Sequence, residues 1–148
     1  MALVHVTRRI DADPQRVWQL VTDWPAQSRW IPLTRVFIDP DGPSAGVGTR
    51  FTGRTGLGPL FFDDLMEVTE WQPPADGAGR CRVVHRGRWV RGWAEITVVP
   101  AAGGGAQLTW LEDIRPRWTP RLADPVVAGV GRVLFDGTLA KLAGELSG

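Results

Sequence analysis

A chain of 148 residues with 43% hydrophobic and 22% charged residues has enough apolar surface to bury one core of ordinary domain size, which excludes a disordered chain. Its formal net charge of +1 asks for neither nucleic acid nor an anionic membrane as partner. No window approaches the roughly 18 consecutive apolar residues of a membrane span, and residues 1–9 lack the basic-then-apolar layout of a signal peptide, so one cytoplasmic domain without integral membrane association is expected over 1–148.

In chain order, the first element is a strand over 3–10, with Val4, Val6 and Ile10 on one face and His5, Thr7 and Arg9 on the other. Asp13-Pro14 then supplies an N-cap followed by proline in the first helical turn, and Val17, Leu20 and Val21 form the apolar stripe of a short helix that Trp24-Pro25 closes. A second short helix or turn over 26–30 precedes Pro32, where the chain returns to extended form.

From 33 to 113 the pattern is strands separated by Gly/Pro/Asp-rich turns, the signature of an antiparallel meander. Strands are expected over 34–38, 48–55, 60–71 and 80–88, then one ending near Val99 and one over 107–114. Residues 90–92 fit either a tight turn or a kinked continuous strand. After Pro116 the period becomes helical. Thr119-Pro120 and Asp124-Pro125 are two possible starts of a long helix running to about Leu146, and Leu122, Val126, Val130, Val133, Gly137 and Ala140 recur on one face, taken as the face toward the sheet. The fold class is thus α+β: about seven antiparallel strands around a long C-terminal helix, with two short helices after the first strand.

Cys81 is the only cysteine, and with His5 and His85 it is too little for a Cys/His zinc site, so neither disulfide nor metal is expected. Gly129-Val-Gly131 lies within the final helix and Gly46-Val-Gly48 enters a strand, so neither has the setting of a dinucleotide loop and no cofactor is implied. The serines at 28, 44 and 147 lie in no nucleophile-elbow pattern, and nothing points to covalent catalysis. Sixteen arginines against one lysine, with abundant Ala, Gly and Pro, suggest a GC-rich bacterial source. Eight tryptophans with no tyrosine are many for one small core, and some are candidates for a cavity wall.

Three stretches, Ile10-Asp-Ala-Asp-Pro-Gln-Arg-Val-Trp-Gln-Leu-Val-Thr-Asp23 with Trp30 following, Met66-Glu-Val-Thr-Glu-Trp-Gln-Pro-Pro74, and Gln107-Leu-Thr-Trp-Leu-Glu112, give the chain its family likeness. Together with the element order, they make it resemble the START-related (SRPBCC) superfamily of birch-pollen-allergen-like, polyketide cyclase/dehydrase and lipid-transport proteins. The resemblance implies a helix-grip fold with a cavity between sheet and helix for lipids, polyketides, hormones or other hydrophobic metabolites. It identifies no substrate.

Strand alternation gives the cavity inventory. Phe62, Asp64, Met66 and Val68 share one face; Cys81, Val83, His85 and Trp89 another; Leu108, Trp110, Glu112 and Ile114 a third. If all three look inward, the ligand-binding set is Trp30, Phe51, Phe62, Met66, Val83, Trp89, Trp110, Val126, Val130, Val133 and Gly137, and the ionisable set is Asp64, His85 and Glu112. One reading makes His85 a general acid/base held by Asp64 or Glu112; the other, favoured, makes the three a buried hydrogen-bonded cluster or places one or two of them at the rim in water. The arginines at 80, 82, 86 and 88 fall on the opposite, solvent face. The expected function is noncovalent binding of a small hydrophobic or aromatic metabolite, with no nucleic-acid partner. A cyclase or dehydratase using the same cavity is the alternative, and a partner-binding module is a third possibility; the sequence leaves the oligomeric state open.

Overall fold

The computed structural model describes residues 2–75 and 77–147. Strand β1 (Ala2–Ile10) buries Val4, Val6 and Ile10 and leaves His5 and Thr7 outside, as its alternation predicts. Helix α1 (Pro14–Val21) begins where Asp13 Oδ1 accepts the Gln15 N–H at 2.8 Å, with proline in the first turn, and its inward face is Val17, Trp18 and Val21. A 3-10 turn over Trp24–Arg29 follows and buries Trp24 and Ala26.

The chain then lays down β2 (Thr34–Ile38), β3 (Arg50–Leu57), β4 (Leu60–Gln72), β5 (Gly79–His85), β6 (Val90–Pro100) and β7 (Ala106–Pro116). These pair with their sequence neighbours in one antiparallel sheet, and β1 joins it beside β7, giving the order β1-β7-β6-β5-β4-β3-β2. Helix α2 (Asp124–Ser147), entered through a 3-10 turn at Arg121–Ala123, packs on the inner face and completes the expected helix-grip arrangement of seven strands, two short helical segments after β1 and a long final helix.

The open junction at 90–92 resolves into a turn placed earlier and a strand with a kink. The turn is 86–89, tied down by the Arg86 N–H to the Leu65 carbonyl at 2.6 Å. Beyond it, β6 carries Gly92 at φ 120°, where a Cβ would collide with the Asp113 carbonyl oxygen of β7. Strand β5 therefore stops at His85, three residues short of the expected end, and Trp89 leaves the inward face for the turn.

The face of α2 also differs from expectation. Gly131, Thr138, Leu139 and Leu142 are buried, with Phe135 partly so, whereas Val126, Val130 and Val133 are 66%, 55% and 74% exposed and Gly137 looks into open space. The first half of the helix is apolar on most sides (Val126, Val127, Ala128, Val130, Val133, Leu134), so spacing selects no unique face there. Tertiary packing selects it instead. At Gly131 an added Cβ would lie 2.8 Å from Val4 Cγ2, so the small residue that faces the sheet is Gly131 rather than Gly137, and it marks a close helix–sheet approach rather than space. The C-terminal half is anchored by polar contacts: Arg29 grips Glu145 with two hydrogen bonds of 2.8 and 2.9 Å, and the buried Trp30 donates Nε1–H to the same carboxylate at 2.8 Å.

Candidate ligand cavity

Between the sheet and α2 lies a cavity of about 210 Å³. Its walls are mostly apolar: Phe62 and Met66 from β4, Val90 from β6, Trp110 and Ile114 from β7, and Leu134 and Phe135 from α2. Trp110 of the sheet and Phe135 of the helix stack directly on each other, centroids 5.1 Å apart, and form one stretch of wall. Trp118, in the irregular segment before α2, meets Phe62 edge-on at 4.8 Å and is 54% exposed, placing it at the mouth.

Three ionisable side chains line the same space: Asp64 of β4, His85 of β5 and Glu112 of β7. β4 and β5 are adjacent while β7 lies one strand further on, beyond β6, and the even spacing along each strand turns all three side chains to the concave face. His85 Nδ1–H donates to Asp64 Oδ1 at 2.8 Å. On the other side of the ring, Nε2 is buried with no hydrogen-bond partner among the described residues, and Glu112 Oε2 stands 3.7 Å away, beyond hydrogen-bond reach but close enough for Coulombic attraction. Glu112 is held by its other oxygen, which accepts Trp110 Nε1–H at 3.1 Å.

Burial by itself would lower the His85 pKa, but the Asp64 hydrogen bond and the adjacent Glu112 carboxylate outweigh it and raise the value from 6.5 to about 10. The imidazole is therefore a cation at neutral pH, with both ring nitrogens as donors. Burial also raises the Asp64 pKa above the ordinary carboxylate value, the His85 contact opposing it. The carboxylates approach different ring nitrogens rather than a common point, and no group of three or more His, Cys, Asp or Glu among the described residues is disposed to hold a metal.

The chain matches, over residues 1–147, the model of a family described as polyketide cyclase / dehydrase and lipid transport. The chain belongs to that family. Solved structures share the fold of this family member at low identity. A protein from Thermus thermophilus has 18% identity and a TM-score of 0.76, covering 97% of this chain and 96% of its own. The Zhui aromatase/cyclase from a Streptomyces species has 16% identity and a TM-score of 0.71, covering 98% and 93%. A START superfamily protein from Mycobacterium smegmatis has 16% identity and a TM-score of 0.71, covering 98% and 97%. No curated protein matches.

Of the residues expected from sequence to line the site, the fold brings Phe62, Asp64, Met66, His85, Trp110 and Glu112 onto the cavity wall of this family member. The others go elsewhere. Val126, Val130, Val133 and Gly137 face away because α2 presents another side. Trp89, 41% exposed, lies in the 86–89 turn with the Arg88 guanidinium over its ring. Trp30 and Val83 are core residues off the cavity wall. Phe51 stacks on Trp24 at 4.4 Å and borders a separate open cleft of about 600 Å³ over β2–β4, whose Arg50 and Glu67 pair with each other. That cleft is larger, but the buried Asp64, His85 and Glu112 line the smaller cavity. Two aromatic wall residues lie outside the set expected from sequence: Phe135, although the 135/138/139/142 spacing marks the true inward face, and Trp118, which lies in irregular chain and gives no periodic signal.

Proposed function

We propose that this protein binds a small hydrophobic or aromatic metabolite, lipid- or polyketide-like, noncovalently between the sheet and α2. The observation that carries the reading is an apolar cavity with one buried polar end, where His85 retains an unpartnered ring nitrogen. Apolar walls supply affinity and a few convergent polar groups fix orientation. A cavity of about 210 Å³ is modestly larger than the roughly 150 Å³ that takes one benzene ring. It suits a compound of one or two rings, with longer substituents reaching out past Trp118. Native mass spectrometry of freshly purified protein tests this: a retained small molecule, released on unfolding, is expected. Failure to retain or take up any apolar compound overturns the reading.

Catalysis in the same cavity, of the cyclase or dehydratase type, is a second reading, favoured by the free Nε2–H of a cationic His85 facing the ligand space. There Glu112 takes a proton from the carbon α to a carbonyl, the C–H electron pair forms the new C=C bond, and His85 gives its Nε2 proton to the carbonyl oxygen or to the hydroxyl that leaves as water, while Asp64 orients the ring. The fold shared with the Zhui aromatase/cyclase is compatible with it. His85→Gln separates the two readings. A roughly 10²- to 10⁴-fold loss of turnover with affinity kept supports acid/base chemistry, whereas a loss of affinity alone supports binding.

A further inference from the structure

The polar side chains on the cavity wall are almost all occupied within the protein. Thr34 and Thr55 bond each other at 2.8 Å, Thr138 Oγ1–H donates to the Leu134 carbonyl at 2.8 Å, and Gln27 Nε2–H donates to the Val21 carbonyl at 3.4 Å. Asp64 Oδ1 is taken by His85 Nδ1, and Glu112 Oε1 by Trp110 Nε1. Asp64 Oδ2 belongs to the carboxylate on the Nδ1 side of the ring; on the other side a donor and an acceptor stand together, His85 Nε2 without a hydrogen-bond partner among the described residues and Glu112 Oε2, 3.7 Å from it. Nε2 is closed to bulk water, and an oxygen reaches it only as the side chains around it give way, a movement that pairing the buried donor favours.

Two atoms 3.7 Å apart can both be reached by a single oxygen about 2.8 Å from each, a normal hydrogen-bond length. Such an oxygen must accept from Nε2–H and donate to the carboxylate. An ether or ketone oxygen accepts only, and a hydrocarbon does neither; a hydroxyl does both. We propose that His85 Nε2 and Glu112 Oε2 form a hydroxyl-recognition subsite, and that the ligand is a small phenol, enol or alcohol whose hydroxyl group is inserted between them while its rings lie against Trp110 and Phe135. This rests on the cavity-binding reading above and narrows it to a ligand class. Both partners are fixed from behind, His85 by Asp64 and Glu112 by Trp110, so the pair is preorganised and loses little freedom when the hydroxyl arrives.

Equilibrium dialysis of the unmodified protein against three two-ring probes tests the assignment: 2-naphthol, 2-methoxynaphthalene and naphthalene. The subsite predicts that 2-naphthol binds at least roughly tenfold more tightly than either of the others, since each of those leaves a buried donor or acceptor unpaired. Naphthalene is the smaller molecule, so its weaker binding has no steric explanation. In Glu112→Leu the 2-naphthol preference should shrink below about threefold with naphthalene affinity kept; the wild-type probe series stands by itself should that variant not fold. Equal affinities for the three probes overturn the hydroxyl subsite and leave the cavity reading intact. Absence of binding by all three overturns both.

Discussion

The His85 pair makes a pH-dependent contribution to stability whose sign and size follow from its geometry. Folding raises the His85 pKa from 6.5 to about 10, so the native state holds a proton that the unfolded chain has released. A raised histidine stabilises fully below the unfolded pKa, and that stabilisation is lost as pH rises toward the folded value. Between those limits stability falls by about 1.4 kcal/mol per pH unit, or about 3 kcal/mol from pH 7 to pH 9. In a domain of this length that is a Tm decrease of roughly 6–12 °C, at about 2–4 °C per kcal/mol. The composition keeps the window clear: the chain has no tyrosine and a single lysine. Cys81, whose thiol burial pushes up from 9.0 to about 12, adds a loss of the same sign only above pH 9. Urea unfolding at pH 6, 7, 8 and 9 in constant ionic strength measures the slope, and His85→Gln should flatten it. A wild-type unfolding free energy constant within about 0.5 kcal/mol over that range would refute the proposed charge state, as would an unchanged slope in the variant.

The orientation of α2 predicts opposite outcomes at two glycines. Gly131→Leu, driven into Val4 and Ile114, should cost at least about 1–3 kcal/mol as an overpacked contact, whereas Gly137→Ala, in open space on the helix, should gain up to about 1 kcal/mol; denaturant midpoints of the two variants check both, and the reverse order would mean the helix presents its other face. Gly137→Leu should leave uptake of an apolar fluorescent probe unchanged, and a loss of uptake would return that position to the cavity. Ligand should alter the emission of Trp110 and Trp118, which line the cavity, and not that of Trp24, buried against Phe51; single Trp→Phe variants assign the response, and a signal confined to Trp24 would move the site.

Strand period, turn chemistry and the Asp13-Pro14 cap were sufficient to place the sheet and α1, because each is a local property of a few residues. The ionisable trio was legible for the same reason: in a period-two element, knowing the face of Met66, Val83 or Trp110 fixes the faces of Asp64, His85 and Glu112. The helix face was not, since Val126, Val127, Val130, Val133 and Leu134 surround the axis and only contact with Val4 distinguishes Gly131 from Gly137. Nor was the position of Trp89. The early turn, placed by the Arg86–Leu65 backbone bond, broke an alternation that the arginines at 86 and 88 extend by coincidence. The pairing of His85 with both carboxylates at once depends on the register of neighbouring strands, which no single segment encodes.

The placement of β1 next to β7 determines the order in which this molecule can be completed. Strands β2 to β7 form a succession of hairpins, each able to zip onto the one made just before it. β1 alone waits, for its neighbour arrives about a hundred residues later: Thr7 meets Thr109, 102 positions apart. During synthesis the first strand therefore emerges with its backbone donors and acceptors bare, an apolar stretch open to pairing with other chains until β7 exists. Arg8 and Arg9 near its end, charges that oppose such association, are well placed to guard it in that interval. Closing this one long loop should govern the folding rate, and a chain interrupted before Ala106 lacks both the strand that receives β1 and the glutamate that completes the polar end of the cavity.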